Sequence, residues 1–135
     1  DRLLLAKTWL EEDTRTKKLG IGYFGASTGA GAALQAAARA PQKIQAVVSR
    51  GGRPDLAETY LPSVTAPTLL IVGGWDEPVI EINQSAYELL TCEKKLIIVP
   101  GATHLFEEPG TLEQVAEHAG KWFRQNLHRE GRAGE

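Results

Sequence analysis

Residues 21–31 read Ile21-Gly22-Tyr23-Phe24-Gly25-Ala26-Ser27-Thr28-Gly29-Ala30-Gly31. An apolar run, Ile21 to Phe24, enters a tight glycine turn, and a helix of small residues leaves it. At the turn, Gly25-Ala26-Ser27-Thr28-Gly29 fits Gly-x-Ser-x-Gly, the pattern of a nucleophile elbow. A serine at the apex of a strand-to-helix turn is held in strained backbone geometry, with its hydroxyl pushed clear of the sheet. Gly25 and Gly29 are expected to flank it because a Cβ at either would collide with the neighbouring strand or helix. The Thr28 N–H, at the helix start, is expected to point to where an oxyanion forms. The pentapeptide alone reads equally well as an ordinary strand–turn–helix connection containing a serine. Its weight depends on what the rest of the chain supplies.

The chain has 135 residues, enough for one domain with a modest core. Hydrophobic content of 42% and charged content of 24% are those of a globular domain. A formal net charge of −2 gives no electrostatic case for nucleic acid or an anionic membrane as partner. No apolar run approaches a transmembrane length, and no signal peptide opens the sequence. The single cysteine, Cys92, excludes an internal disulfide and a thiolate zinc cluster. No metal and no cofactor are expected. The lone cysteine fits a reducing compartment, and the location expected is cytoplasmic. Methionine is absent even at position 1, and Asp1 onward is already in helical rhythm, which points to a processed chain or a piece of a longer one.

Read in order, residues 1–13 form an amphipathic helix and residues 14–20 a polar connection. Ile21 to Phe24 is a short, apolar, buried strand. Thr28 to Ala40 is an alanine-dominated helix, suited to lying close against a sheet and stopped by Pro41. Ile44 to Ser49 is a second strand, followed by a short helix from Pro54 to about Leu61. Thr68 to Val72 is apolar throughout and therefore central and parallel. Pro78 to Leu90 is a helix with Ile82, Ala86, Leu89 and Leu90 on one face. Lys95 to Val99 is a fourth strand. Thr111 with Gln114 fits a capping box opening a last helix, whose stripe is Leu112, Val115, Ala116, Ala119, Trp122, Phe123 and Leu127. The domain is expected over 1–128, with a disordered tail over 129–135. Alternating strands and helices predict an α/β fold: a parallel sheet with helices on both faces.

In such sheets functional groups collect at the carboxyl ends of the strands. Ser27 follows the first strand, Asp76 the third and His104 the fourth, and each gap holds at least one whole βα unit. Serine needs a histidine to take its proton and return it to the leaving group. A carboxylate fixes the imidazole tautomer and stabilises the imidazolium. Taken alone, Asp76 reads as a turn residue or helix cap, and His104 as a loop histidine; Glu77 is a weaker rival to Asp76. Jointly, in this order and at these places, they form a catalytic constellation. Arg50 and Arg53 end the second strand. They either attract a substrate carboxylate or form a solvated turn with an ion pair to Asp55. Trp75 either lines a pocket or packs.

The segments Gly25-Ala26-Ser27-Thr28-Gly29, Ala66-Pro67-Thr68-Leu69-Leu70-Ile71-Val72-Gly73-Gly74-Trp75-Asp76 and Val99-Pro100-Gly101-Ala102-Thr103-His104 resemble the carboxyl-terminal half of an α/β-hydrolase. They are most similar to its dienelactone-hydrolase-like branch. The resemblance covers residues from 1 to about 127. It implies a truncated α/β-hydrolase fold of about four strands, with Ser27 as nucleophile, Asp76 as acid, His104 as base and Thr28 as oxyanion donor. Dienelactone hydrolases proper use a cysteine nucleophile, so the implied activity here is general cleavage of small carboxylic esters. The upstream half of the fold, with the loop that gives a second oxyanion donor, has no counterpart in the sequence. Losing one such donor typically costs roughly 10²–10³ in rate. The strand at 21–24 then becomes a free sheet edge, and a homodimer covering it is expected. Two readings follow: an esterase acting through Ser27, or a hydrolase-derived domain that works by association.

Overall fold

The backbone follows the alternating signals. β1 (Ile21–Ala26), α1 (Thr28–Arg39), β2 (Ile44–Arg50), a 3-10 segment (Pro54–Ser63), β3 (Thr68–Gly73), α2 (Glu77–Leu89), β4 (Lys94–Val99) and α3 (Thr111–Asn126) succeed one another. The computed structural model describes residues 21–41 and 43–127. The helix expected over 1–13, the connection over 14–20 and the tail over 129–135 lie outside the described residues. The strands pair in parallel in the order β1-β2-β3-β4. β1 runs past Phe24 to Ala26 because the ladder continues to the pair Ala26–Arg50.

Parallel neighbours need a crossover, and each crossover lays a helical segment on a sheet face. Val47 and Leu70 point to one face, where α1, the 3-10 segment and α2 bring Leu34, Leu61, Ala86 and Leu90. Val48, Leu69 and Ile71 point to the other, where Val115, Ala119 and Trp122 of α3 cover them. The switch of face between successive residues is the two-residue period of a strand. Helices therefore cover both faces, as the pattern predicts. Burying a Leu or Ile contributes about 1.5–3 kcal/mol over leaving it exposed. Leu34, Leu61, Leu69, Leu70 and Ile71 are all fully buried. The alanines do what their size allows: Ala30, Ala33, Ala36 and Ala37 are buried, and α1 lies close on the sheet.

β3 is buried at every position, as its unbroken apolar run implies. β1 and β4 are the edges among the described residues. On β1 Tyr23 is buried but Phe24 is 45% exposed, so the expectation of a buried strand holds only in part. An edge strand has a neighbour on one side alone.

The start of α3 departs from the capping-box expectation. Gly110 occupies the cap position with φ 82°, and Thr111 is the first helical residue. Its Oγ1 donates to the Glu108 carbonyl at 2.8 Å. The chain arrives in a left-handed conformation that glycine adopts freely and threonine resists, so the cap falls one residue earlier. The buried stripe is also narrower than expected: Val115, Ala119 and Trp122 are buried, whereas Leu112 and Ala116 are exposed. No helix among the described residues is long and apolar enough to cross a membrane.

Candidate active site

Ser27 sits between β1 and α1 with φ 50° and ψ −122°. Such geometry costs a residue with a side chain about 1–3 kcal/mol and survives only where the surroundings enforce it. Three backbone hydrogen bonds do so here. The Ser27 N–H donates to Arg50 O (3.3 Å), and Ser27 O accepts from the N–H groups of Ala30 (3.2 Å) and Arg53 (2.9 Å). Close packing adds to this. A Cβ on Gly25 would lie 2.6 Å from Gly29 O and 2.7 Å from Ala30 Cα, so the collision expected at Gly25 is real. The one expected at Gly29 is not: a Cβ there meets nothing within 4 Å, because it points into open space. Thr28 is the first residue of α1, so its N–H has no acceptor within the helix.

Two backbone bonds join the exits of β3 and β4. Gly74 N–H donates to Val99 O (2.8 Å) and Trp75 N–H to Ala102 O (3.0 Å). They bring the residues after each strand side by side. Asp76 occupies the cap position of α2, its carbonyl accepting from Val79 and Ile80, yet its carboxylate makes no cap bond. Asp76 Oδ2 lies instead 2.7 Å from His104 Nδ1. His104 Nε2 lies 2.9 Å from Ser27 Oγ. A carboxylate can only accept, so Nδ1 carries the imidazole proton and the Nε2 lone pair faces the serine hydroxyl. The three residues picked from sequence are thus brought into one hydrogen-bonded chain. The Asp76 side chain is 13% exposed and that of His104 39%, so the carboxylate is sheltered and the imidazole open to solvent.

The weaker candidates divide. Arg53 forms a two-pronged pair with Asp55 (3.0 and 2.8 Å), which is the solvated-turn alternative. Hydrogen bonding from Arg53 holds the Asp55 carboxyl below its ordinary range. Arg50 ends β2 beside Ala26, with its guanidinium carbon 5.6 Å from the centre of the Phe106 ring. Trp75 is 72% exposed, so it does not pack in the core. With Leu105, also exposed, it gives apolar surface at residues adjoining Asp76 and His104. Among the described residues, no three His, Cys, Asp or Glu side chains gather as a metal site. A hollow of about 210 Å³ between the 3-10 segment and α2, lined by Asp55, Leu61, Ile82 and Leu89 among others, includes none of Ser27, Asp76 and His104.

Three residues escaped the sequence reading. Glu108 accepts from both the N–H (3.0 Å) and the Oγ1–H (2.7 Å) of Thr103, bracing the loop that carries His104. These bonds hold the Glu108 carboxyl below its ordinary value of 4.5. A depressed carboxyl contributes stability that is full above its unfolded value and lost as pH falls through the folded one. The Tm difference between wild type and Glu108→Gln should therefore be constant at neutral pH and close on acidification below 4.5. A difference that widens on acidification would contradict the brace. Phe106 is buried under Arg50 with φ 55°, which no sequence pattern signals. Asn83 is fully buried on α2. Its signal was readable: a polar residue in helical register with Val79, Ala86 and Leu90.

The parallel sheet and the serine, aspartate and histidine at its strand ends define a domain of the α/β-hydrolase fold. Residues 1–127 match the model of the dienelactone hydrolase family, and the chain belongs to that family. It is 59% identical to a dienelactone hydrolase from Anabaena variabilis of known crystal structure, with a TM-score of 0.91, over 94% of this chain and 59% of that one. The esterase domain of a Rhodothermus marinus protein shares the fold at 18% identity, with a TM-score of 0.79 over 93% of this chain and 68% of that one. A Mycobacterium tuberculosis protein, provisionally named a phosphoribosyl transferase, is 58% identical over 98% of this chain. The chain spans 30% of that relative's length.

Proposed function

We propose that the chain is a serine hydrolase that cleaves small carboxylic esters through an acyl-enzyme on Ser27. The observation that supports this best is the unbroken chain from Ser27 Oγ through His104 to Asp76, at 2.9 and 2.7 Å. Ser27 Oγ attacks the ester carbonyl carbon while His104 Nε2 takes its proton. The carbonyl oxygen becomes an oxyanion, to which the Thr28 N–H is assigned as donor. Collapse breaks the bond to the alcohol oxygen, and Nε2 returns the proton to that leaving group. Water then attacks the acyl-serine by the same route and releases the carboxylic acid. Asp76 accepts from Nδ1 throughout, holding the ring in the useful tautomer and stabilising the imidazolium. Arg50 and Trp75 are assigned to substrate binding, Trp75 for its exposed ring beside Asp76.

Turnover of p-nitrophenyl acetate and butyrate by wild type and by Ser27→Ala tests this. Wild-type turnover that drops to background in the variant is the expected result; equal rates would remove the proposal. The name carried by the mycobacterial relative describes a protein of which this chain matches 30%, and nothing in the Ser27–His104–Asp76 arrangement favours phosphoribosyl transfer.

The edge position of β1 and the exposure of Phe24 support a second reading, association through that edge. Two copies would pair β1 across a two-fold axis. Sedimentation that gives a monomer at every concentration would rule this out.

A further inference from the structure

We infer that Asn83 is a positioning residue for Ser27, acting through the turn that follows β2. The inference rests on the reading of Ser27 as nucleophile, but its structural part can be tested without that reading. Arg50 and Arg53 clasp Ser27 from both sides, one accepting from its N–H and the other donating to its carbonyl. The turn between them must therefore keep its shape if Ser27 is to keep its strained φ. Two contacts anchor it to the rest of the fold. Gly51 N–H donates to Ile71 O at 2.7 Å, and Asn83 Nδ2 donates to Gly52 O at 3.1 Å.

The second anchor reaches across from α2, 31 residues along the chain. Asn83 Nδ2 also donates to Val79 O at 2.8 Å, so both of its hydrogens are used. That fixes the amide: turned over, it would set Oδ1 against two carbonyl oxygens. Asp76 occupies the cap position of the helix that carries Asn83. One rigid element thus holds the carboxylate that orients His104 and the amide that braces the turn around Ser27. Asn83 hydrogen-bonds to none of the three reacting side chains, so its action on Ser27 is indirect.

The cost of this arrangement argues that it serves more than packing. Asn83 Oδ1 is buried without a hydrogen-bond partner among the described residues, as is Ser49 Oγ on β2. A leucine at 83 would keep the branching and leave no orphaned side-chain acceptor, though its methyl groups are bulkier than the amide they replace. It would orphan Gly52 O instead, so the polar penalties roughly offset and the stability lost is that of fitting the bulkier methyls. Activity should change, because a displaced nucleophile loses alignment out of proportion to the distance moved.

Amide hydrogen exchange in the full chain, comparing wild type with Asn83→Leu, reads the clasp directly. Exchange at the Arg53 and Ser27 N–H groups should accelerate in the variant while the amides of β3 keep their protection. Unchanged exchange at both positions would overturn the inference, whether or not the protein is an esterase. Labelling of Ser27 by a fluorophosphonate should slow by about tenfold to a hundredfold in the variant. A wild-type labelling rate in Asn83→Leu would likewise overturn it, whereas a wild-type chain that never labels would remove the esterase reading alone. If Asn83→Leu does not fold, Asn83→Ser decides. Its short hydroxyl still reaches Val79 O but not Gly52 O, so faster exchange at Arg53 supports the inference and unchanged exchange refutes it.

Discussion

Replacing His104 by alanine is expected to lower kcat on an activated ester by roughly 10⁴-fold or more, with little change in KM. The size follows from what the imidazole does. If His104 is the base, then without Nε2 no other hydrogen-bond partner of Ser27 Oγ among the described residues would take the proton or return it to the leaving group. The fold should survive, because the His104 side chain is 39% exposed and contributes little to the core. Asp76→Asn should cost nearly as much for a different reason. The amide can donate to Nδ1, which favours the tautomer with its proton on Nε2, facing the serine the wrong way. Combining His104→Ala with Ser27→Ala should be no worse than either alone, as expected of residues that serve one proton-transfer step. Steady-state turnover of p-nitrophenyl acetate measures all of these. Losses that multiply would mean that the residues act separately.

Gly25→Ala should be strongly damaging, and Gly29→Ala should be harmless or helpful. The two glycines look alike in sequence. At Gly25 the new methyl would meet backbone atoms of Gly29 and Ala30 within 2.8 Å, and backbone cannot swing aside as a side chain can. Either α1 moves off β1 or the chain does not fold; the cost is about 3 kcal/mol or more. At Gly29 nothing lies within 4 Å, and the residue is helical. Alanine there should stabilise α1 by roughly 0.5–1 kcal/mol. Urea denaturation of the two variants reads the contrast. A destabilised Gly29→Ala would show that the elbow needs both glycines after all.

The contrast also shows where sequence stops being sufficient. The parallel sheet and the two-sided cover of helices were legible because strands alternate with helices and an apolar run such as Thr68 to Val72 belongs inside a parallel sheet. Ser27, Asp76 and His104 were legible for the same reason: once the strands are placed, their carboxyl ends are known, and chemistry selects the residues there. Local geometry was less accessible. Gly-x-Ser-x-Gly does not say which way each Cβ points, so Gly29 was read as crowded. Thr111 and Gln114 match a capping box, but the match does not reveal that Gly110 arrives with φ 82°. The bond of Glu108 to Thr103 lies in a loop, where no period links one residue to another. Asn83 did carry a signal, a polar side chain on an apolar helical face, but its partner at Gly52 is distant in sequence and appears only when α2 is packed on the turn.

Ser27, held strained between β1 and α1 and hydrogen-bonded to His104, is expected to be a nucleophile. Incubation with a fluorophosphonate, followed by intact-mass analysis and peptide mapping, tests this most directly. One phosphonyl adduct per chain is expected, located on Ser27 and absent from Ser27→Ala and His104→Ala. A wild-type chain that gains no mass, or an adduct that persists in Ser27→Ala, would contradict it.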